Sequence, residues 1–332
     1  MSDCITLAHG SGGRAYRELV ETIFAPAFHN EFLAPLTDAA VLPAGETIAM
    51  TTDGYVVQPL FFPGGDIGRL AVSGTVNDLA VSGANPQYLS VAMVLETGLP
   101  LENLRRVVAS MAAAAKEAGI SIVTGDTKVV EAGGCSGMYI TTAGVGVFPA
   151  NRTIPAQQPQ AGDAIVCSGP IASHGMAVMA ARNNIAFDPP ILSDVRPLNH
   201  AVRAVLDAGC RVNAMRDPTR GGVASTLSEW AGRDFDITIE EQTLPVRADA
   251  RAACAILGID PVYVANEGVV LFSIHPDDAD RAVEALQSVA GCEEAAVVGT
   301  VAEWHGGVFA RTQIGTFRRI LPPSGELLPR IC

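Results

Sequence analysis

Most of this chain alternates short apolar runs with segments whose apolar residues recur at helical spacing. Only layered folds, with helices packed on sheets, satisfy that pattern. In the first half, residues 47–51 predict a strand running into Asp53-Gly54. Residues 66–84 predict a helix with Leu70, Ala71, Val72, Val76, Leu79 and Ala80 on its apolar side. A strand over 88–95, a helix over 101–118 stopped by Gly119, a strand over 120–124 ending at Gly125-Asp126 and a strand over 138–147 follow. The second half predicts a strand over 164–167 and helices near 175–184, 194–208 and 221–232. A strand over 268–274, a helix over 277–290 and a strand over 295–300 complete it. Residues 151–162, with Pro155 and Pro159, mark the best domain boundary. The expected class is α+β, built from α/β layers in two domains, 1–150 and 151–310, with a flexible tail over 311–332.

Composition narrows the function. A chain of 332 residues has room for two domains with real cores. Its 48% hydrophobic and 17% charged residues argue against disorder. No apolar run reaches the ~18 residues of a membrane span, and Met1-Ser2-Asp3-Cys4 is not the start of a signal peptide. A cytoplasmic protein is expected. Seven cysteines without a C-x-x-C pair read as reduced thiols rather than disulfides or zinc ligands. A net charge of −13 speaks against nucleic-acid binding. It also means that an anionic substrate needs a metal or a local positive site. Lys116 and Lys128 are the only lysines.

Four acids stand in apolar or glycine-flanked positions. Asp53 follows a strand and precedes Gly54, and Asp78 lies in a helix of small and apolar residues, where a lone carboxylate is costly. Asp126 ends a strand between Gly125 and Thr127, and Asp38 sits in Thr37-Asp38-Ala39. Singly, each reads as a cap or turn residue. Together they suit Mg²⁺, which takes oxygen ligands and neutralises phosphate charge. Lys128, two residues from Asp126, faces the same way in extended backbone, as a site cation or a surface lysine. Glu267, in Asn266-Glu267-Gly268 before a buried-looking strand, is a general base or a turn acid.

Familiar nucleotide motifs fail. No Walker A exists, since neither lysine follows a glycine. Gly10-Ser11-Gly12-Gly13-Arg14-Ala15 fits G-x-G-x-x-A without the acid expected at the end of a second strand. Gly12 and Gly13 could fold over phosphates through backbone N–H groups or form an ordinary flexible N-terminus. The sequence finishes at Pro329-Arg330-Ile331-Cys332, beyond Pro322-Pro323-Ser324-Gly325. The paired prolines favour an extended arm. Arg330 and Cys332 project to one side of an extended backbone. A prenylation box is excluded, because its Cys stands four places from the end.

The blocks Ala8-His9-Gly10-Ser11-Gly12-Gly13, Thr52-Asp53-Gly54, Gly74-Thr75-Val76-Asn77-Asp78-Leu79-Ala80, Gly125-Asp126-Thr127-Lys128, Asp217-Pro218-Thr219-Arg220-Gly221-Gly222, Asn266-Glu267-Gly268 and Pro329-Arg330-Ile331-Cys332 carry a resemblance over the whole chain. They resemble the HypE family of hydrogenase maturation proteins. Its superfamily includes aminoimidazole ribonucleotide synthetase, selenophosphate synthetase and thiamine-monophosphate kinase. The resemblance implies an aminoimidazole ribonucleotide synthetase-like fold with a mobile C-terminal tail. It implies N-terminal sheets that pair across a homodimer, with ATP and Mg²⁺ near that interface. Nucleotide binding would fall to Asp53, Asp78, Asp126, Gly12, Gly13 and Asp217, and metal ligation to Asp38, Asp53, Asp78 and Asp126. Catalysis would fall to Cys332, Glu267 and Lys128. One departure is Thr37, where relatives often carry a second acid beside Asp38.

The implied reaction starts when a carbamoyltransferase, HypF, places a carbamoyl group on Cys332. ATP then drives dehydration of S–C(=O)–NH₂ to S–C≡N, which passes to a HypC–HypD scaffold as the cyanide ligand of the [NiFe]-hydrogenase iron. An amide oxygen leaves poorly until it is phosphorylated. A carboxylate such as Glu267 suits the base, and a cation such as Lys128 suits the developing oxygen charge. Two other classes remain: a same-fold synthetase or kinase acting on a small free substrate, and a non-enzymatic thiol carrier.

Overall fold

Strand β1 (Ile48–Tyr55) leads into a short hairpin of β2 (Phe61–Phe62) and β3 (Gly65–Asp66). Asp66 then caps a helix over Ile67–Val81, its carboxylate accepting the N–H groups of Gly68 at 2.7 Å and Arg69 at 3.1 Å. The computed structural model of the chain describes residues 4–10, 18–34, 47–149, 157–303 and 306–322. Gly12, Gly13, Asp38 and Cys332 lie outside them. Strands β4 (Asn85–Glu96), β5 (Ser121–Val130) and β6 (Met138–Val147) complete a four-stranded sheet in the order β1-β6-β4-β5. All its pairs are antiparallel except β4–β5. That parallel pair needs a crossover, supplied by the Leu101–Ala118 helix, which Gly119 ends at φ 70°.

The two helices cover one face of the sheet. Almost every residue of Ile67–Val81 is buried, because the second domain covers the side that the sheet leaves free. A helix apolar on all sides belongs in such a place. The other sheet face is open: along β1, Ile48 is 49% and Met50 71% exposed.

The second half forms a seven-stranded sheet from β7 (Ala164–Cys167), β8 (Val212–Arg216), β9 (Phe235–Glu240), β10 (Leu271–Ile274), β11 (Ala296–Glu303), β12 (Gly307–Arg311) and β13 (Phe317–Ile320). Their order is β13-β12-β9-β11-β7-β10-β8. Strands β7 and β10 are buried on both faces, which is why they read as continuous apolar runs. Helices over Ser173–Arg182, Gly222–Ala231 and Ala248–Leu257 pack one face with Ile165, Ile237 and Leu271. Helices over Asn199–Asp207 and Ala279–Gln287 pack the other with Val166, Phe272 and Ile274. Val178, Val195 and Ala265 join the first domain's core, so the apolar interior crosses the seam. Among the described residues no helix is long and apolar enough to cross a membrane.

Four features differ from the sequence reading. The helix expected over 194–208 starts at Asn199, because Pro197 biases Arg196 away from helical backbone. The strand expected to end at 124 runs on to Val130. Strands β8, β9, β12 and β13 and the Ala248–Leu257 helix went unpredicted. Strand β13 pairs antiparallel with β12, so the chain is tied to the sheet as far as Ile320, beyond the Arg311 start expected for a flexible tail.

Candidate functional site

The site begins with strand alternation on β1. Asp53 pairs with Thr142, a buried residue on the helix-covered side of the sheet. Residues 51, 53 and 55 therefore share that face. Thr51 and Tyr55 bond the Ile67–Val81 helix directly, and Tyr55 also bonds Asp53. Thr51 Oγ1 donates to Asp78 Oδ2 at 2.9 Å, and Tyr55 Oη donates to Asp53 Oδ2 at 3.0 Å. Tyr55 Oη also lies 3.3 Å from Thr75 Oγ1, whose hydroxyl bonds that of Thr142. Gly74 makes room for the phenol: a Cβ there would stand 2.3 Å from Tyr55 Oη.

The second domain contributes Asp217, directly after β8, and Glu267, in the turn before β10. Asn266 ties the two loops together. The Ala172 N–H donates to its Oδ1 at 2.7 Å, and its Nδ2 donates to the carbonyls of Pro218 at 2.9 Å and Val264 at 3.1 Å. Asn77 locks the domains to each other. Its Oδ1 accepts the Leu198 N–H at 2.7 Å, and its Nδ2 donates to the carbonyls of Arg196 at 3.2 Å and Glu267 at 3.4 Å. The resulting cleft, a small one of about 40 Å³, is lined by Asp53, Gly54, Tyr55, Gly74, Asp78, Asp217, Thr219, Arg220 and Glu267.

Four carboxyl groups share this cleft, and each opposes ionisation of its neighbours. Burial and then the Asp53 charge raise Asp78, while Thr51 works against the rise. Burial and then Asp78 push Asp217 up to about 7. Burial, Asp217, Asp194, Asp53 and Asp78 together raise Glu267 well above the usual carboxylate range. Perturbed carboxyl groups of this kind cluster at functional sites.

Among the described residues no three His, Cys, Asp or Glu side chains form a group able to hold a metal ion. Mg²⁺ does not require one, since it is held by one or two carboxylates with substrate phosphates and water completing its shell. Asp53 and Asp78, hard oxygen donors joined through Thr51 and Tyr55 to one strand and one helix, fit that role.

Asp126 and Lys128 do not join the cleft. On β4, Val91, Met93 and Leu95 lie in the helix-covered core and pair with Gly125, Thr127 and Val129. Asp126 and Lys128 are one residue out of phase and project from the open face. They pair at 2.7 Å with side chains 55% and 68% exposed, and that bond with Lys128 is the first cause lowering the Asp126 carboxyl. Sequence reasoning did not assign Thr51, Tyr55, Asn77, Asp194, Arg196 or Arg220 to the site. Tyr55 was within reach, because alternation places it beside Asp53.

Comparisons with known proteins place the chain in a family. The family model of AIR synthase related protein, N-terminal domain, matches residues 36–148, and that of the C-terminal domain matches 160–311. The chain is 47% identical to a carbamoyl dehydratase HypE of Azotobacter vinelandii, over 99% of this chain and 97% of the relative. It resembles a crystal structure of hydrogenase maturation protein HypE in complex with ATP, with a TM-score of 0.93 and 43% identity over 98% of this chain and 99% of that one. It also resembles a HypE–HypF complex structure, with a TM-score of 0.80 and 44% identity over 92% and 99% of the two chains. With matches to both AIR synthase-related domains and close identity along nearly its whole length, the chain belongs to the HypE carbamoyl dehydratase family.

Proposed function

We propose that this protein uses ATP to dehydrate a carbamoyl group on Cys332 to a thiocyanate, the source of a cyanide ligand for [NiFe]-hydrogenase iron. One observation carries the reading: Asp53, Asp78, Asp217 and Glu267, from two domains, converge on one cleft beside Arg220. A carrier that only passed a thiol between partners would have no use for such a costly cluster. A HypE relative has been crystallised with ATP, which supports ATP as the driving substrate here. Another is known with HypF, which supports a HypF-type carbamoyltransferase as donor. A HypC–HypD scaffold would receive the product.

Glu267 is the base. Burial and its acidic neighbours hold a proton on Glu267 in the empty cleft; positive charge brought by metal and nucleotide would lower that affinity and free the carboxylate to take an N–H proton of the carbamoyl nitrogen. One N–H proton leaves as the carbamoyl oxygen takes the phosphoryl group of ATP, and the second leaves as the C≡N bond forms and that oxygen departs as phosphate. Per turnover, one ATP and one water's worth of atoms leave as ADP, phosphate and a proton. Bound beside Asp53 and Asp78, Mg²⁺ would neutralise phosphate charge and ease the repulsion among the carboxylates. Arg220 stands where a developing oxyanion or phosphate charge can meet a guanidinium. The enclosed seam limits water, which competes for the phosphoryl group.

Asp126 and Lys128 enter this reading through a second copy. The open sheet face bears exposed Ile48 and Met50, and pairing it with its equivalent in a homodimer would bring their shared face against a second chain. Cys332 would enter the cleft for the reaction and leave it for HypF. Intact-mass analysis after incubation with carbamoyltransferase, carbamoyl phosphate and ATP tests the assignment. Wild type should gain the carbamoyl group and then lose water, Glu267→Gln should stop at the carbamoyl form, and Cys332→Ala should gain nothing. Loss of water in Glu267→Gln would remove Glu267 from the base role.

A further inference from the structure

The segment Asp194-Val195-Arg196, outside any helix or strand, runs beside the Glu267 turn and satisfies it from both sides. Asp194 Oδ2 accepts the N–H groups of Glu267 at 3.2 Å and Gly268 at 3.0 Å. Two residues later, the Arg196 N–H donates to the Glu267 carbonyl at 3.3 Å, and its Nε donates to the Gly268 carbonyl at 3.0 Å. All four backbone groups of Glu267 and Gly268 are thus held by one strap. The fit is close, since a Cβ on Gly268 would stand 1.8 Å from the Asp194 carbonyl oxygen. The strap in turn hangs on the first domain through Asn77, which bonds the Arg196 carbonyl. Asp194 is partly exposed as a residue, but its carboxyl end is enclosed and Oδ1 is buried without a partner. A buried oxygen left unpaired is costly, and a fold needing only two N–H acceptors could use a smaller polar group. The retained carboxylate marks a place where geometry matters more than stability.

We propose that Asp194 is the positioning residue for Glu267: by gripping both N–H groups of its turn, it aims the Glu267 carboxyl into the cleft. This rests on Glu267 being the base of the proposed reaction. A shift of ~1 Å in such a group can slow a reaction ~10²-fold. Three variants of the full chain test it: Asp194→Ala, Asp194→Asn and Gly268→Ala. Single-turnover thiocyanate formation on carbamoylated protein, ATP affinity by calorimetry and amide exchange at Glu267 and Gly268 are read in each. Asp194→Ala should lose ~10²-fold in rate with ATP affinity essentially unchanged, and should speed exchange at those two amides. Asp194→Asn keeps an acceptor oxygen and should recover most of the rate. Gly268→Ala, whose added Cβ would push Asp194 and the rest of the strap off the turn while the Asp194 carboxylate itself is kept, should resemble Asp194→Ala. A wild-type rate in Asp194→Ala, or a rate loss matched by equal loss of ATP affinity, overturns the proposal. If wild type forms no thiocyanate, the functional reading fails, and unchanged amide exchange in Asp194→Ala would independently sink the strap.

Discussion

In nucleotide-free protein, Asp217→Asn is expected to stabilise the fold above neutral pH and to leave it almost unchanged at pH 4. Burial and Asp78 push the Asp217 carboxyl from 3.8 to about 7. Between those values the folded chain keeps a proton that the unfolded chain has lost. Stability therefore falls as pH rises through this window and stays reduced above it. At ~1.4 kcal/mol per pH unit, the full penalty is about 4 kcal/mol. An amide avoids the desolvation of a charge but must find acceptors for its own N–H groups, which leaves a gain of roughly 2–4 kcal/mol at pH 8. With a melting entropy of ~2.1 cal/mol/K per residue over the whole chain, 3 kcal/mol corresponds to about 4 °C. Thermal melts in chelator at pH 4 and pH 8 read the effect directly. The variant should melt higher than wild type at pH 8 and within about a degree of it at pH 4. An equal shift at both pH values, or a lower melting point at pH 8, would show that Asp217 carries no such strain.

Other consequences follow from the same seam. Asn77→Ala removes three hydrogen bonds across the domains and leaves buried partners unpaired, so urea unfolding should show a loss of about 2–4 kcal/mol; an unchanged midpoint would deny Asn77 its locking role. Burial pushes the Cys167 thiol to about 12 and the Cys254 thiol to about 11, so neither is a thiolate at pH 8. Alkylation of native protein should spare both until denaturant is added, and rapid native labelling would contradict their burial. Asp78→Asn and Asp126→Asn should each weaken Mg-ATP turnover. If Asp126 serves a second copy's cleft, co-folding the two variants should restore activity in mixed dimers, and no recovery would argue against a role across the interface.

What was legible in the sequence follows from which signals are local. The Leu101–Ala118 helix is amphipathic and closes on Gly119, β6 alternates between the two sheet faces and β7 is a continuous apolar run, so their bounds could be read directly. Asp53, Asp78 and Glu267 stood out because carboxylates amid glycine and apolar residues need a reason. Asp126 stood out for the same reason, but its side of the sheet is decided by a partner strand. Leu89 pairs with Ile122 whereas Ser90 pairs with Thr124, so Val123 is an extra residue on β5. Without that bulge, Asp126 and Lys128 would share the face of Ile122 and point toward the helices. One inserted residue sends both to the open side. Asp194 was hidden differently. It reads as the start of the helix expected over 194–208, whereas Pro197 holds the segment out of the helix and the Glu267–Gly268 turn, distant in sequence, takes up its carboxylate.

The electrostatics of the cleft bear on how the two domains hold together. Asp53 and Asp78 belong to the first domain, Asp217 and Glu267 to the second, so the carboxylates repel one another across the seam. Asn77, next to Asp78 on the same helix, binds the backbone of the Asp194 strap and of Glu267. A rotation of one domain against the other would move Asp78 and break those bonds together. A cation placed between Asp53, Asp78 and a phosphate replaces repulsion with attraction at that place, which favours the closed seam over any opened one. The acids thus serve two ends with one arrangement. Their mutual repulsion raises the proton affinity of Glu267, and a cation bound among them would relieve that repulsion and stabilise the seam.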